Sequence, residues 1–256
     1  MAKTSIAWTE FTWNPTTGCT KISEGCNNCY AEKLSKRLKA MGNPKYENGF
    51  ALTIHAEMLN LPLKWKKPKM VFVDSMSDIF HENIDIAYIM KVFDVMNKTP
   101  QHTYQVLTKR SERLLKLSQQ IQWTPNIWMG VTVENNKHVD RIDHLLQTSA
   151  VTKFLSFEPL IASIEVVSLK GIDWVIVGGE SGPKGRIMKK EWVENIYDIC
   201  KSDRIPFFFK QWGKSVNNPN KQDPTLDSKY PDHAKGGCLL NGEIFHEYPL
   251  TVNSKQ

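Results

Sequence analysis

MVFVDSMSD, residues 70–78, is the stretch whose reading decides the fold. Four apolar residues run into a polar turn at Asp74 and Ser75, and a helical pattern follows over 84–93. A short, uniformly apolar run bounded by turn residues suits a strand buried on both faces. The same unit recurs down the chain. Residues 104–107 end in Thr108-Lys109-Arg110, with a helix expected over 111–119. Residues 127–133 end in Glu134-Asn135-Asn136, with a helix reaching Leu146. Residues 152–157 end in Glu158-Pro159. Residues 174–177 end in Gly178-Gly179-Glu180, with a helix over 191–200, and residues 206–209 end in Lys210-Gln211. Strands alternating with helices predict a parallel sheet with helices on its outer face. With a first strand in the alternating stretch 7–13, the expectation is a complete or partial (β/α) barrel of about six to seven parallel strands, filling residues 1–213. No GxGxxG follows the first strand, so a dinucleotide fold is unsupported.

The flanks are less regular. Residues 43–69 lack a strong period and read as an insertion over one end of the domain, with a short strand at 50–54 and a short helix at 56–61. Within them, LKWKKPK at 63–69 sets four lysines around Trp65. Such a run either tracks a phosphate backbone and stacks a base, or is a solvated connection. The tail, 214–256, begins as loop, and Asn241-Gly242 between apolar residues signals a β-hairpin appended to the barrel.

Three of the five cysteines stand within eleven residues: Cys19, Cys26 and Cys29, spaced C-x6-C-x2-C and followed by Tyr30. Packing alone is a poor explanation for that clustering. Three thiolates also make an incomplete coordination sphere, since structural zinc sites and fully protein-ligated iron–sulfur clusters take four protein ligands. Either one position is open to a non-protein group, or a distant residue (His81, His102 or Cys238) completes a zinc site. The loop joins the first strand to a helix carrying Ala31, Leu34 and Leu38, so it falls on the C-terminal rim. Asp74, Ser75, Lys109, Glu134, Glu158, Glu180 and Lys210 converge on that same rim, where barrels of this kind build their active sites. Lys109 and Lys210 are the candidates for an anionic substrate or a proton donor, with Glu158 or Glu180 as partners.

The chain has 256 residues, of which 41% are apolar and 23% charged, as in an ordinary globular protein. It has no apolar run long enough to span a membrane and no secretory signal, so the cytoplasm is the expected location. The net charge of +6 permits a polyanionic partner without requiring one.

Cys26-Asn27-Asn28-Cys29-Tyr30 resembles the second half of the C-x3-C-x2-C-aromatic loop of radical S-adenosylmethionine enzymes; the first gap here is six residues instead of three. The fuller string from Trp13-Asn14-Pro15 to Ala31, with GVTVEN, FLSFEPL, VIVGGESGP and FFFKQWG, resembles an uncharacterised bacteriophage and prophage family over residues 1–214. The first resemblance implies that Cys19, Cys26 and Cys29 hold a [4Fe–4S] cluster whose fourth iron binds S-adenosylmethionine (SAM). It also implies reductive cleavage of SAM to a 5′-deoxyadenosyl radical, fed by an external flavodoxin- or ferredoxin-like electron donor. By position it points to Ser75 and Asp78 for the methionine ammonium and Glu134 or Glu158 for ribose hydroxyls. Gly178 and Gly179 would lie close to the adenine, with Tyr30 beside it and Glu180 nearby. Lys109, Lys210 and Glu158 are then the catalytic candidates, and a nucleotide or nucleic acid is the expected substrate. The alternative is a nucleic-acid-binding protein with a structural zinc.

Overall fold

The apolar runs form the strands expected of them. The computed structural model describes residues 2–226 and 236–250. In chain order the strands are β1 Ala2–Lys3, β2 Phe11–Trp13, β3 Thr16–Thr17, β4 Thr53–Ile54, β5 Met70–Val73 and β6 Thr103–Thr108, then β7 Ile127–Thr132, β8 Thr152–Phe157, β9 Trp174–Gly178, β10 Phe207–Gln211, β11 Leu239–Leu240 and β12 Glu243–Ile244. The helices are α1 Tyr30–Ala40, α2 Ala56–Leu59, α3 Ile86–Asn97, α4 Ser111–Ser118, α5 Asp140–Leu146 and α6 Lys190–Asp203. The main sheet runs β1-β2-β5-β6-β7-β8-β9-β10. Its seven strands from β2 onward are parallel and curl into a half-barrel; β1 adds antiparallel to β2. With β1 and β10 as its two edges, the barrel is partial.

Period-two alternation separates the two faces of the sheet. Val73, Val106, Met129, Val131, Leu155, Val175 and Val177 point outward and pack with Ile89, Val92, Leu114, Leu145 and Val193 of the helices. Phe72, Trp128, Phe154, Trp174, Ile176 and Phe208 fill the concave side, and Trp8 joins them from the N-terminal segment. The first strand is therefore shorter than the alternation over 7–13 suggests. Trp8 leaves it in a turn and inserts its ring 4.7 Å from that of Phe72, filling a concavity that seven strands alone leave wide. Gly130 makes room for Phe154, whose ring would stand 2.5 Å from a Cβ there.

The tail covers one edge. Phe209 N–H donates to Phe245 O (2.8 Å) and Glu247 N–H to Phe207 O (3.2 Å), laying this stretch along β10. β11 and β12 form the hairpin expected at Asn241-Gly242. The remainder of the expected tail unit, 227–235 and 251–256, lies outside the described residues. In the basic run at 63–69, Trp65 is buried against His102 (5.4 Å between ring centres), so it offers no face to a base and the run is a solvated connection.

Candidate metal centre

The cysteine loop runs from Cys19 through a single 3-10 turn, Glu24–Cys26, to Cys29, which caps α1. All three thiols are free and partly exposed. The loop is held by charged side chains that follow three different strands, and a fourth, Asp78, braces one of them. After β7, Glu134 is fully buried; Ser23 Oγ donates to its Oε1 (2.5 Å) and Arg141 Nη1 to its Oε2 (2.8 Å). After β9, Glu180 accepts from Asn28 Nδ2 (3.0 Å) and from Arg186 Nε (2.9 Å), and Arg186 Nη2 donates to Glu24 O (2.9 Å). After β6, Arg110 Nη2 donates to Thr20 O (3.2 Å) and its Nη1 reaches Cys19 Sγ (3.4 Å). After β5, Asp78 accepts from Arg110 Nη1 (3.2 Å), Thr108 Oγ1 (2.7 Å), Lys109 N–H (3.1 Å) and Phe80 N–H (3.0 Å). The loop and the acidic ends of the strands thus share one rim, as the sequence order predicts.

These contacts change what several predicted residues do. Glu134 and Glu180 accept hydrogen bonds from the loop, and Asp78 accepts from Arg110, which binds the loop. Gly178 and Gly179 serve close approach within the chain. A Cβ at Gly178 would lie 2.8 Å from Glu158 Oε1, and one at Gly179 would lie 2.4 Å from Trp212 O. Ser75 is buried; its Oγ donates to Asn14 Oδ1 (3.1 Å) and its carbonyl accepts from the Tyr30 hydroxyl. Tyr30 is half exposed as a residue.

Other predicted residues meet on the inner wall. Lys210 Nζ pairs with Glu158 Oε1 at 2.8 Å, while Trp8 Nε1 and Ser156 Oγ both donate to Glu158 Oε2 at 3.2 Å. The negative charge of Glu158 also acts on the Tyr30 hydroxyl, so both belong to one neighbourhood beside Cys29. Lys109 lies close enough to Cys26 for its ammonium to act on that sulfur.

The thiols differ. Burial opposes ionisation of Cys26, but the Lys109 charge and hydrogen bonds from the Ile22–Ser23 region outweigh it and hold the thiol below its ordinary range. Burial pushes Cys19 up to about 11, helped by the Asp78 charge and resisted by Arg110.

Of the residues considered for completing a zinc site, His102 lies at the opposite, N-terminal end of β6. Cys238 is buried in the tail, where its N–H donates to Thr225 Oγ1 (2.8 Å). His81 does approach the loop, with Nε2 3.0 Å from Thr20 Oγ1, but its Nδ1 accepts from Asn83 N–H (3.1 Å), so both ring nitrogens are engaged. Among the described residues, no three His, Cys, Asp or Glu side chains gather as the ligands of one ion would. Two shallow concavities, about 530 and 390 Å³, open near the N-terminal strand ends, lined by residues such as Thr9, Lys69 and Thr103 and by Arg204, Pro206 and Glu247. Neither includes a residue of the cysteine loop.

Ser23, Asn28, Arg110, Arg141 and Arg186 were not singled out from the sequence. The available signal was a cation six or seven residues beyond a strand-end glutamate, as Arg141 follows Glu134 and Arg186 follows Glu180. That spacing is too common to carry weight alone.

Fold and site define a class: a parallel α/β half-barrel with a charge-clamped three-cysteine loop on its C-terminal rim. The chain belongs to the family described as Protein of unknown function (DUF5131), which matches residues 3–249. No curated protein and no solved structure matches it.

Proposed function

We propose that this protein is a radical SAM enzyme that binds a [4Fe–4S] cluster through Cys19, Cys26 and Cys29. The observation that carries this reading is the joining of the three-thiol loop to the rim by Arg110, Glu134 and Glu180, which follow three strands of the sheet. The donor set fits the group. Three soft thiolates suit an iron–sulfur cluster and leave one iron for a non-protein ligand. When bound, a cluster of this kind supplies the electron for reductive cleavage of SAM.

The chain's own residues do the rest. The clamps at Glu134, Glu180 and Arg110 preorganise the loop before any metal arrives. Lys109 and Arg110 offset the negative charge that three thiolates bring. Tyr30, half exposed, is the aromatic side chain that follows Cys29. Glu158, oriented by Trp8 and Ser156, holds the Lys210 ammonium toward the concave side. Lys210 Nζ is the proton donor or anion contact on that side. A nucleotide or nucleic acid is the substrate class that the +6 charge favours, and an external one-electron donor would feed the cluster.

Anaerobic purification and iron–sulfide reconstitution test the reading. The expected protein carries about four irons per chain, absorbs broadly near ~400 nm and releases 5′-deoxyadenosine and methionine from SAM under reduction. Cys26→Ala should lose most of the iron, whereas Cys200→Ala in the core of α6 should keep it. Stoichiometric zinc without iron, or full iron in Cys26→Ala, would falsify the assignment.

A further inference from the structure

Arg110 has one of the most complete sets of contacts in the molecule. Its side chain is only 3% exposed. Nε donates to both oxygens of Glu82 at 2.9 Å, Nη2 to Thr20 Oγ1 at 2.9 Å, and Nη1 to Asp78 Oδ2 at 3.2 Å and to Cys19 Sγ at 3.4 Å. Holding the loop requires only the Thr20 bonds. The contact with sulfur is additional, and it places a permanent cation against one of the three sulfurs proposed to bind metal.

We propose that Arg110 sets the reduction potential of the metal centre by donating a buried, charge-assisted N–H hydrogen bond to the Cys19 sulfur. This rests on the iron–sulfur reading of the loop. Hydrogen bonds and net charge at the ligand sulfurs are among the terms that fix the potential of such a cluster. Reduction adds one negative charge to the centre. A cation at the sulfur stabilises the reduced form more than the oxidised form, so Arg110 raises the potential. Glu82 acts in the opposite sense: it holds the guanidinium in place and partly cancels its field. Because the Glu82 side chain is 58% exposed, solvent weakens that cancellation. Asp78 lowers the potential as well, but it also supports the backbone at Phe80 and Lys109 and is a poor probe. Arg110 is thus a positioning residue acting through Cys19.

The test is a redox titration, followed by electron paramagnetic resonance, of the reconstituted full chain as wild type, Arg110→Gln, Arg110→Lys and Glu82→Gln. Iron and sulfide are counted for each sample. Arg110→Gln is expected to lower the ratio of reduced to oxidised cluster at fixed potential about tenfold, a shift of about 59 mV to more negative potential for a one-electron couple. Arg110→Lys, which keeps the charge and loses the fork, should fall between it and the wild type. Glu82→Gln should shift the other way, to more positive potential. A purely structural role would not produce opposite signs at these two positions. If Arg110→Gln loads a full cluster and titrates with the wild type, the inference is overturned and the cluster reading stands. If Arg110→Gln fails to load, Glu82→Gln decides, and no positive shift there overturns the inference. A wild-type chain that takes up no iron overturns both.

Discussion

Gly25 has no side chain where Glu134 has its carboxylate: a Cβ on Gly25 would stand 2.4 Å from Glu134 Oε1. The turn between Cys19 and Cys26 therefore rests directly on a buried charge, which Arg141 balances from α5. Ser23 completes the contact through its bond to the same oxygen and lies 3.6 Å from Cys26 Sγ. The position of the second cysteine is thus decided by a glutamate more than a hundred residues away in the chain.

Removing either half of this contact should release the loop. Glu134→Ala leaves Arg141 buried and unpaired, at a cost of about 3–5 kcal/mol, which urea denaturation would register. Gly25→Ala should reduce metal retention as well as stability, since Glu134 is enclosed and cannot yield. Equal iron content and equal denaturation midpoints in Gly25→Ala and the wild type would contradict the described contact.

In the metal-free protein, the thiols should react in a fixed order. With Cys19 raised to about 11 and Cys26 held below its ordinary range, iodoacetamide at neutral to mildly basic pH should modify Cys26 well before Cys19. At pH 8 only about one Cys19 in a thousand would be a thiolate. Peptide mass spectrometry over a time course gives both rates; faster labelling of Cys19 would refute the charge arrangement.

Asp74 should make stability depend on pH in an uncommon sense. It is buried, its Oδ1 accepts from Thr16 N–H (2.9 Å) and its Oδ2 from Thr16 Oγ1 (2.8 Å), and burial raises its pKa from 3.8 to about 7. An acid whose folded pKa lies above its unfolded value stabilises the fold below the unfolded value, and that stabilisation is lost as pH rises through the folded one. Asp74→Asn keeps the shape, tolerates the positive φ of 54° at this position and removes the titration. The stability of the wild type relative to Asp74→Asn should fall by roughly 2–4 kcal/mol between about pH 4 and pH 7. Parallel denaturation curves for the two proteins across that range would refute it.

Residues 238–250 should be needed for solubility as much as for folding. They cover the β10 edge, and Trp174 Nε1 donates to Glu247 O (2.8 Å) while its ring stacks on Tyr248 at 5.2 Å. An exposed edge of Phe207, Phe208 and Phe209 is a template for pairing with other chains. Deleting these residues should give concentration-dependent association on size-exclusion chromatography, and a monodisperse truncated protein would count against this role.

Much of the architecture was legible in the chain because parallel strands buried on both faces announce themselves as apolar runs. Residues 70–73, 127–132 and 174–178 needed no tertiary information to be placed. Trp8 was not legible: its alternation with neighbours fits a strand, and only a concave space too wide for the sheet's own side chains draws it inward. The same holds for Leu34, which has helical spacing on α1 yet is 39% exposed.

At the rim, the sequence by itself determined which residue types would gather. Strand-end carboxylates, two lysines and three clustered cysteines follow from chain order in an α/β barrel. What each carboxylate does was decided only in three dimensions. Glu134 and Glu180 hold the cysteine loop and Asp78 braces Arg110 against it, whereas Glu158 turns inward to Lys210. The physical reason is that a buried charge must find its counter-charge across space, and those partners (Arg110, Arg141, Arg186 and the loop itself) meet only when the helices dock and the sheet curls.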